Sequence, residues 1–536
     1  MKLRWSCLIS FAVLLHCAGA FAQPSRYMVF FRDKSGTAFS VDRPADWLSS
    51  RSVGRRMRQQ IAVTADDLPV NPVYVAAVKD AGATPIYVSR WLNGVLVVAD
   101  AAIQSTLAAL PMVRDVELVA PGKGLAGGRL KQFRMRSTAA TAEQTQIQRK
   151  MLGLDTMHAL GYRGEGVMVA VIDSGFPGVD QSVPFQRLLS DGRVRDQYDF
   201  VHHTTTAFAQ DSHGTEVLSV LAAETASFKG GLPMSDYLLY VTEDVPTEYR
   251  VEEYNWLFAA ERADSAGADV ITSSLGYNLF DDGAMDYLPS QLDGHTAAIT
   301  RAAEMAIDRG IVVVVSAGNE GNNNWRLVTP PADGARVLAV GAVNQAGGKA
   351  GFSSVGPTAD NRIKPDVMAL GINTAVVSSS GAVTASSGTS FACPSIAALV
   401  GGSIQAFPDV PAEQLIQVIR KSGNLYFSPS NEKGYGIPHF LAVRNQLLHP
   451  EVSDVVRVFP NPGTGAKVQL LLTEPDGQTV QIQVYTATGV LCADANLESL
   501  WINNPVEWDV SDLAAGLYFI RVTTAKASQT VKFVKW

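Results

Sequence analysis

Ser390, His213 and Asp173 are the side chains of this sequence that can together activate a nucleophile. Asp173 ends an apolar run, His213 lies in the string Ser-His-Gly-Thr, and Ser390 lies in Gly-Thr-Ser-Phe-Ala. A serine hydroxyl is a weak nucleophile until a neighbouring base takes its proton. Imidazole suits that task near neutral pH, and a carboxylate can hold the ring in the required tautomer. These residue types therefore predict acyl transfer at a carbonyl.

A fourth side chain can stabilise the charge that this chemistry creates. Acyl transfer places negative charge on the carbonyl oxygen, which needs preorganised donors. Asn319 follows the apolar run 311–315 and is the candidate donor, together with the backbone N–H of Ser390. The chain order Asp, His, Ser also differs from that of chymotrypsin-like enzymes and of α/β-hydrolases. The order therefore favours one remaining family.

The motifs around these four residues resemble those of the subtilisin-like (subtilase) serine proteases, peptidase family S8. The similarity extends to the strings at 352–357 and 363–367, which carry no catalytic side chain, and covers residues 151–447. The resemblance implies a serine endopeptidase that cleaves peptide bonds through an acyl-enzyme intermediate. It implies Asp173, His213 and Ser390 as the triad and Asn319 as the oxyanion donor, with no required cofactor.

The resemblance also implies two walls of a substrate cleft. Ser274, Leu275 and Gly276 resemble the edge strand of the family, with which an extended peptide would pair, although they also fit the simple end of a strand. Ala317 and Gly318 would form the opposite wall of the pocket for the residue before the scissile bond. Neither wall carries a charge, which favours an uncharged or broad preference.

The elements around these residues alternate short apolar runs with amphipathic segments, as a parallel sheet flanked by helices requires. Strands are predicted at 167–172, 237–241, 269–273, 311–316 and 337–340, and helices at 216–224, 252–266, 295–308, 395–406 and 412–421. Ser390 falls at a helix start. The other chemical residues lie at strand ends or before a helix, where open α/β sheets bind their ligands. The predicted fold class is α/β.

Residues 1–22 have the features of a secretory signal peptide. Lys2 and Arg4 precede an apolar stretch, and Ala20 and Ala22 fit a cleavage site. A lipoprotein site at Cys17 is disfavoured by the bulky residue before it. No segment has the length and polarity needed to cross a bilayer.

Residues 23–120 predict a small α+β unit, with strands at 27–31 and 95–98 and helices at 73–81 and 103–110. The unit resembles the propeptide of secreted subtilases, which assists folding and inhibits the enzyme until it is removed. The alternatives are an adhesive module and a permanent regulatory domain. Residues 121–150 are interpreted as a solvated linker and maturation zone, with the basic residues Arg129, Lys131, Arg134, Arg136, Arg149 and Lys150.

Residues 455–536 change to β-rich periodicity, with strands predicted at 468–472, 480–485, 517–522 and 530–534, and form a predicted β-sandwich. The strings at 458–463, 484–489, 513–518 and 532–535 resemble the C-terminal sorting domain of type IX secretion cargo. This implies secretion machinery as a partner and passage through the periplasm to the cell surface or medium. A carbohydrate-binding or spacer module is the alternative.

The composition of 536 residues, 47% hydrophobic and 18% charged, predicts two or three globular domains. The net charge of -7 gives no basis for nucleic-acid binding. Cys393 and Cys492 lie in different regions, so no disulfide is predicted, and Cys393 is interpreted as a buried hydrophobe. His202 and His203 near Asp199 lack a third ligand, so no metal site is predicted. Structural calcium, common in the family, is left open.

Two functions of different class follow. The first is a secreted serine endopeptidase made as a zymogen, acting on protein or peptide substrates. The second is a subtilase-fold surface protein for binding or adhesion, with incidental catalysis. The sequence favours the first because Asp173, His213, Asn319 and Ser390 are all present.

Overall fold

A computed structural model describes residues 24–122, 138–140, 142–448, 456–472, 480–497, 506–523 and 528–536. The predicted signal peptide, residues 1–22, and the basic residues Arg129, Lys131, Arg134 and Arg136 lie outside these ranges. Within them, no helix combines the length and apolar character that a membrane span requires.

The N-terminal unit is an antiparallel sheet, in the strand order β2-β3-β1-β4, with three helices. Its elements are β1 (Ser25–Phe31), α1 (Ser50–Arg58), α2 (Pro72–Asp80), β2 (Thr84–Ser89), β3 (Gly94–Ala99), α3 (Gln104–Ala108) and β4 (Val113–Ala120). Alternate residues of a strand point to opposite faces. Tyr27 and Val29 therefore pack in the unit's own core, whereas Met28 and Phe30 join the core of the large central unit.

The central unit alternates strands and helices over most of its length. Its elements are β5 (Thr138–Ala139), α4 (Ala142–Leu152), α5 (Leu154–Ala159), β6 (Met168–Asp173), α6 (Gln186–Ser190), β7 (Val194–Asp199), α7 (His213–Ala222), β8 (Asp236–Val241), α8 (Val251–Ala266), β9 (Val270–Ser273), α9 (Ala298–Asp308), β10 (Val312–Ser316), β11 (Leu338–Val343), β12 (Val367–Leu370), β13 (Thr374–Val377), β14 (Val383–Ser386), α10 (Thr389–Ala406), α11 (Ala412–Lys421) and α12 (Phe440–Leu448).

A parallel seven-stranded sheet in the order β12-β11-β10-β9-β6-β8-β7 forms the middle of this unit. Every residue of β6, β10 and β11 is buried. Strands covered by helices on both faces are apolar throughout rather than alternating. The predicted α/β fold class is confirmed, and so are the strand and helix predictions for this unit, with ends shifted by a few residues.

The predicted linker 121–150 is wrong in its last part. Ala139 pairs with Thr384 in β14, and residues from Ala142 onward form helix α4. Gln148 is buried and exchanges hydrogen bonds with the backbone of Ala375 in β13, at 2.9 and 3.2 Å. The polar composition of this segment concealed the helix, because two of its buried residues, Thr145 and Gln148, are polar and donate to backbone carbonyls.

The C-terminal unit contains two antiparallel sheets, in the orders β15-β16-β19 and β18-β17-β20-β21. Its strands are β15 (Val456–Phe459), β16 (Lys467–Leu472), β17 (Val480–Thr486), β18 (Leu491–Leu497), β19 (Val506–Asp509), β20 (Gly516–Thr523) and β21 (Ser528–Lys535). Both sheets contribute to one apolar core, which contains Leu470, Ile482, Ile520 and Phe533. A core shared between two sheets is the arrangement of the predicted β-sandwich.

Candidate active site

Asp173 and His213 form a buried hydrogen-bonded pair. Asp173 is the last residue of β6 and His213 the first of α7, and the Oδ1 of Asp173 lies 2.8 Å from the Nδ1 of His213. The same oxygen accepts from the backbone N–H of Ser174 at 2.8 Å and from its hydroxyl at 3.1 Å. A carboxylate only accepts, so it assigns the proton of the neutral ring to Nδ1. This tautomer leaves Nε2 as the basic nitrogen.

The backbone of His213 is fixed by the residues that begin α7. Asp211 accepts a hydrogen bond from the His213 backbone N–H through Oδ1 at 2.8 Å. Asp and Asn side chains commonly satisfy the N–H groups at the start of a helix. Hydrogen bonds therefore hold both the backbone and the imidazole ring of His213 in place.

The pKa of His213 is raised above its usual value by its charged neighbours. Burial has the largest effect and by itself would lower this pKa, because it disfavours the imidazolium. The carboxylate of Asp173, by its charge and hydrogen bond, and the charges of Glu216 and Asp211 outweigh that effect. The site thus stabilises a proton on this imidazole, as a base must when it accepts one.

Ser390 is the second residue of α10 and is buried. Pro394, four residues later, has no N–H to bond the Ser390 carbonyl as a regular helix would. The Ser274 hydroxyl supplies that hydrogen bond at 2.8 Å. The Ser390 hydroxyl in turn donates to the Ser274 carbonyl at 3.5 Å. Ser274, predicted as part of the cleft wall, is therefore also a direct contact of Ser390.

Asn319 follows β10 and is anchored to the start of α10. Its Oδ1 accepts from the backbone N–H and from the hydroxyl of Thr389, both at 2.9 Å. The backbone N–H can only donate, so the atom opposite it must be the oxygen of the amide. Asn319 is exposed, and with Oδ1 bonded to Thr389 its Nδ2 is the atom that can donate.

The predicted walls lie on two segments that follow neighbouring strands. Ser274, Leu275 and Gly276 come directly after β9, and Ala317 and Gly318 directly after β10. Leu275 and Ala317 are buried, whereas Gly276 is exposed. Among the described residues, 274–276 belong to no paired strand, and the Ser274 and Leu275 carbonyls accept from the hydroxyls of Ser390 and Ser316, both at 3.5 Å.

Cys393 lies one turn beyond Ser390 and faces the core. It is fully buried, and its thiol lies 3.5 Å from the Thr272 hydroxyl and from the Val314 carbonyl. Burial raises the pKa of this thiol to about 12, and a thiol that keeps its proton is unreactive. The prediction of a buried hydrophobe is confirmed, and neither Cys393 nor Cys492 is in a disulfide.

His202 and His203 point to different partners. His202 Nδ1 lies 3.0 Å from Asp199 Oδ2, and His203 Nδ1 lies 2.5 Å from the hydroxyl of Tyr87 in the N-terminal unit. No group of three or more His, Cys, Asp or Glu side chains suited to a metal occurs in the part of the chain that the structure describes. His203 therefore belongs to the contact between two units.

A buried ionic cluster joins the N-terminal unit to α8 and was not predicted. We call Asp264, Arg55, Arg56 and Arg90 the Asp264 cluster. Both Arg55 and Arg56 bind Asp264 from α1, and Arg90 binds it from the end of β2. Asp264 is inaccessible to solvent, and the side chains of Arg55 and Arg56 are 1% exposed. The three arginines are 209, 208 and 174 residues from Asp264 along the chain, so no local pattern in the sequence predicts this contact.

Comparisons with known proteins follow the same division of the chain. The model of the subtilase family matches residues 164–436, which contain all four chemical residues. The chain belongs to the subtilase family. A model for the peptidase S8 propeptide domain of Bacteroidota matches residues 26–134, and one for a secretion system C-terminal sorting domain matches residues 457–536. The subtilase is therefore a secreted or cell-surface protein with a propeptide domain.

The relatives of this subtilase include well-known members of the family. Subtilisin amylosacchariticus of Bacillus subtilis subsp. amylosacchariticus is 36% identical over 244 residues, covering 45% of this chain and 56% of that protein. A subtilisin of Bacillus pumilus is 35% identical over 244 residues, covering 45% and 78%. This chain thus spans little more than half of the first relative. The match to the crystal structure of MycP1 from Mycobacterium smegmatis covers 60% and 86%, with 21% identity and a TM-score of 0.44.

Proposed function

We propose that this subtilase is a secreted serine endopeptidase, made as a zymogen, that hydrolyses peptide bonds through Asp173, His213 and Ser390. The observation that carries the proposal is the buried 2.8 Å hydrogen bond between Asp173 and the Nδ1 of His213. It leaves Nε2 as the base, as proton transfer from a serine requires.

In the acylation step, the Ser390 oxygen attacks the substrate carbonyl and its proton moves to the Nε2 of His213. The carbonyl oxygen becomes negative and accepts from the Nδ2 of Asn319 and from the Ser390 backbone N–H. That N–H is suited to the task because the first N–H groups of a helix have no partner within it. The C–N bond then breaks, and His213 gives its proton to the leaving amine.

In the deacylation step, water attacks the ester between Ser390 and the acyl group. His213 takes a proton from the water and returns it to the Ser390 oxygen as the ester bond breaks. The products are a free carboxyl terminus and the restored hydroxyl. No cofactor is needed, because side chains and backbone supply every proton transfer and every hydrogen bond in both steps.

The flanking units have separate tasks in this proposal. Trp91 and Met28 of the N-terminal unit join the core of the central unit, which supports a propeptide that assists folding and restrains the enzyme before maturation. The C-terminal unit engages secretion machinery on the way from the periplasm to the outside. A chain lacking residues 455–536 is expected to remain in the periplasm, and its undiminished appearance in the medium would contradict this part.

The catalytic proposal is tested with the matured protein and an unfolded protein substrate. The wild type and the Ser390→Ala variant would both be matured at a protease site engineered into the predicted linker. We expect the variant to lose peptide release by a factor of roughly 10⁶ while keeping its melting temperature. Equal release by both proteins would favour the alternative of a surface binding protein.

A further inference from the structure

Glu216 is a buried carboxylate one turn beyond His213 in α7. It is 5% exposed, and its Oε2 accepts a hydrogen bond from the Ser386 hydroxyl at 3.0 Å. Ser386 is the last residue of β14 and is also buried. Burial of a carboxylate is costly, and an apolar side chain would fill the same space without that cost. A carboxylate buried this close to His213 therefore needs an explanation.

The contact with Ser386 reaches the segment that carries Ser390. We call residues 386–390 the nucleophile segment, and each of them has a hydrogen bond to another part of the central unit. The partners of residues 387, 388, 389 and 390 are Asn373, Gly371, Asn319 and Ser274, at 2.8 to 2.9 Å. The partner of Ser386 is Glu216, which lies in the helix that begins at His213. This hydrogen bond therefore joins the nucleophile segment to the helix of the base.

Glu216 also places a negative charge near the imidazole of His213. Burial, the largest effect, lowers the pKa of His213, whereas the charges of Asp173, Glu216 and Asp211 raise it. Asp173 faces the ring from β6, and Asp211 lies just before α7. From α10 the ring meets the neutral ring of Phe391, with centroids 5.7 Å apart. Glu216 is therefore among the carboxylates that favour an imidazolium at this position.

We propose that Glu216 is a positioning residue, which holds the nucleophile segment against the helix of His213 and stabilises the imidazolium formed during turnover. This inference rests on the proposed peptidase function. Proton transfer from Ser390 requires one geometry of the two side chains, and a displacement of about 1 Å can lower the rate by roughly 10²-fold. The hydrogen bond from Ser386 to Glu216 limits such a displacement. The charge of Glu216 acts when the ring becomes positive, because it favours that form.

The variant Glu216→Gln separates the charge from the hydrogen bond. The glutamine side chain has nearly the same volume, and its amide oxygen can still accept from Ser386, but the charge is absent. The pH dependence of kcat/KM would be measured on wild type and variant, both matured at the engineered protease site. Because an anion near His213 is lost, we expect the midpoint of the acid limb to move to lower pH. An unchanged midpoint in the folded variant would overturn the proposed effect of the charge.

The variant Ser386→Ala removes the hydrogen bond and keeps the charge. We expect kcat to fall by roughly tenfold or more, with the midpoint of the acid limb unchanged. Ser219→Ala is the matched control, because the Ser219 hydroxyl is also buried and joins α7 to β13 by accepting from the Val377 N–H at 2.8 Å. This contact lies outside the nucleophile segment, so kcat of Ser219→Ala should stay close to that of wild type.

Equal losses of kcat in Ser386→Ala and Ser219→Ala would overturn the proposal, because any lost contact of α7 would then have the same effect. This pair of variants decides the proposal if Glu216→Gln does not fold. Peptide release by wild type that is no faster than release by Ser390→Ala would instead refute the proposed function.

Discussion

Asp173 and Asp264 are both fully buried carboxylates, but their partners are opposite in kind. Asp173 has a single ionisable partner, His213, and two neutral donors from Ser174. Its second oxygen is buried with no hydrogen-bond partner in the described residues. Asp264 has three arginines around it and lies in the last turn of α8. Asp173 is thus paired with an imidazole that can gain or lose a proton, whereas Asp264 is paired with guanidinium groups that stay charged.

The partners of Asp173 suit proton transfer, whereas those of Asp264 suit a permanent contact between two units of the protein. Arginine stays charged at any pH the protein meets, so the Asp264 cluster is permanently ionic. Burial alone would raise the pKa of Asp264, but Arg55, Arg90 and Arg56 lower it well below its usual range. The end of a helix also disfavours a carboxylate, which makes these cations necessary. A lone imidazole, in contrast, can change charge during each catalytic cycle.

Among the exchanges that test this difference between the two carboxylates, the largest expected effect is the loss of turnover in Asp173→Asn. The asparagine amide would donate to Nδ1 of His213 and hold the proton on Nε2, which could then no longer take one from Ser390. We expect kcat to fall by roughly 10⁴-fold, as for the same exchange in other serine proteases. The measurement is peptide release by matured protein, with thermal unfolding as a control. A loss below tenfold would show that this carboxylate does not orient the base.

The matching exchange at the other carboxylate, Asp264→Asn, should affect stability instead. It removes the charge that three buried arginines share, although Arg56 keeps its 3.4 Å contact with Asp67. Breaking a buried ion pair costs about 3–5 kcal/mol. The free energy of unfolding in urea would be measured on the unprocessed chain, in a Ser390→Ala background that prevents self-cleavage. Matured Asp264→Asn protein that folds should keep its turnover.

A control for this variant is available on α1, the helix that carries Arg55 and Arg56. Arg58 in α1 reaches Asp269 at 4.0 Å with a side chain that is 42% exposed. Exposed pairs contribute about 0–1 kcal/mol, so Arg58→Ala should be nearly neutral. If Arg58→Ala and Asp264→Asn lower the free energy of unfolding equally, burial is not what makes the Asp264 cluster important.

The two carboxylates also differ in how far the sequence predicts them. Asp173 is predicted from the short motif around it. It ends an apolar run, which predicts a strand, and strand ends and helix starts are also where His213, Asn319 and Ser390 are predicted. Asp264 could not be found in this way. Its partners Arg55 and Arg56 lie more than 200 residues away, with separations of 209 and 208, in a helix of mostly charged and small residues. Such a helix is ordinarily assigned to solvent.

Two other features were not predicted, because local apolar periodicity does not reveal them. Strand β7 has the polar sequence Val-Arg-Asp-Gln-Tyr-Asp and lies at the edge of the sheet, where apolar periodicity weakens. Glu216 and Ser386 are 170 residues apart along the chain, and no pattern shows that their side chains meet. Periodicity predicts elements and strand ends, but contacts between distant residues depend on the tertiary structure.

A smaller effect is expected from a neutral group, Ser274. Its hydroxyl bonds the Ser390 carbonyl at 2.8 Å in place of the N–H that Pro394 lacks. Ser274→Ala leaves a buried acceptor unpaired, which costs about 1–3 kcal/mol in the free energy of unfolding. A double-mutant cycle supplies the control, because Pro394→Ala restores an N–H at that position. Ser274→Ala should therefore cost less in the Pro394→Ala background, and equal costs in both would contradict the assigned partnership.

The smallest expected effect concerns the pH dependence of His213. Its pKa is raised above the usual 6.5, partly by the charge of Asp211, and only the neutral ring can act as a base. The acid limb of kcat/KM should therefore have its midpoint above pH 6.5 and lose activity as pH falls through it. Asp211→Asn keeps the hydrogen bond that begins α7 but removes the charge, so the midpoint should move to lower pH. Because Asp211 is only partly buried, added salt should screen its effect and shrink the difference between the two proteins. If the acid limb of kcat/KM has the same midpoint in Asp211→Asn and wild type at low salt, the charge of Asp211 does not contribute to the His213 pKa. The contrast with the permanently charged Asp264 cluster would then depend on Asp173, Glu216 and His213.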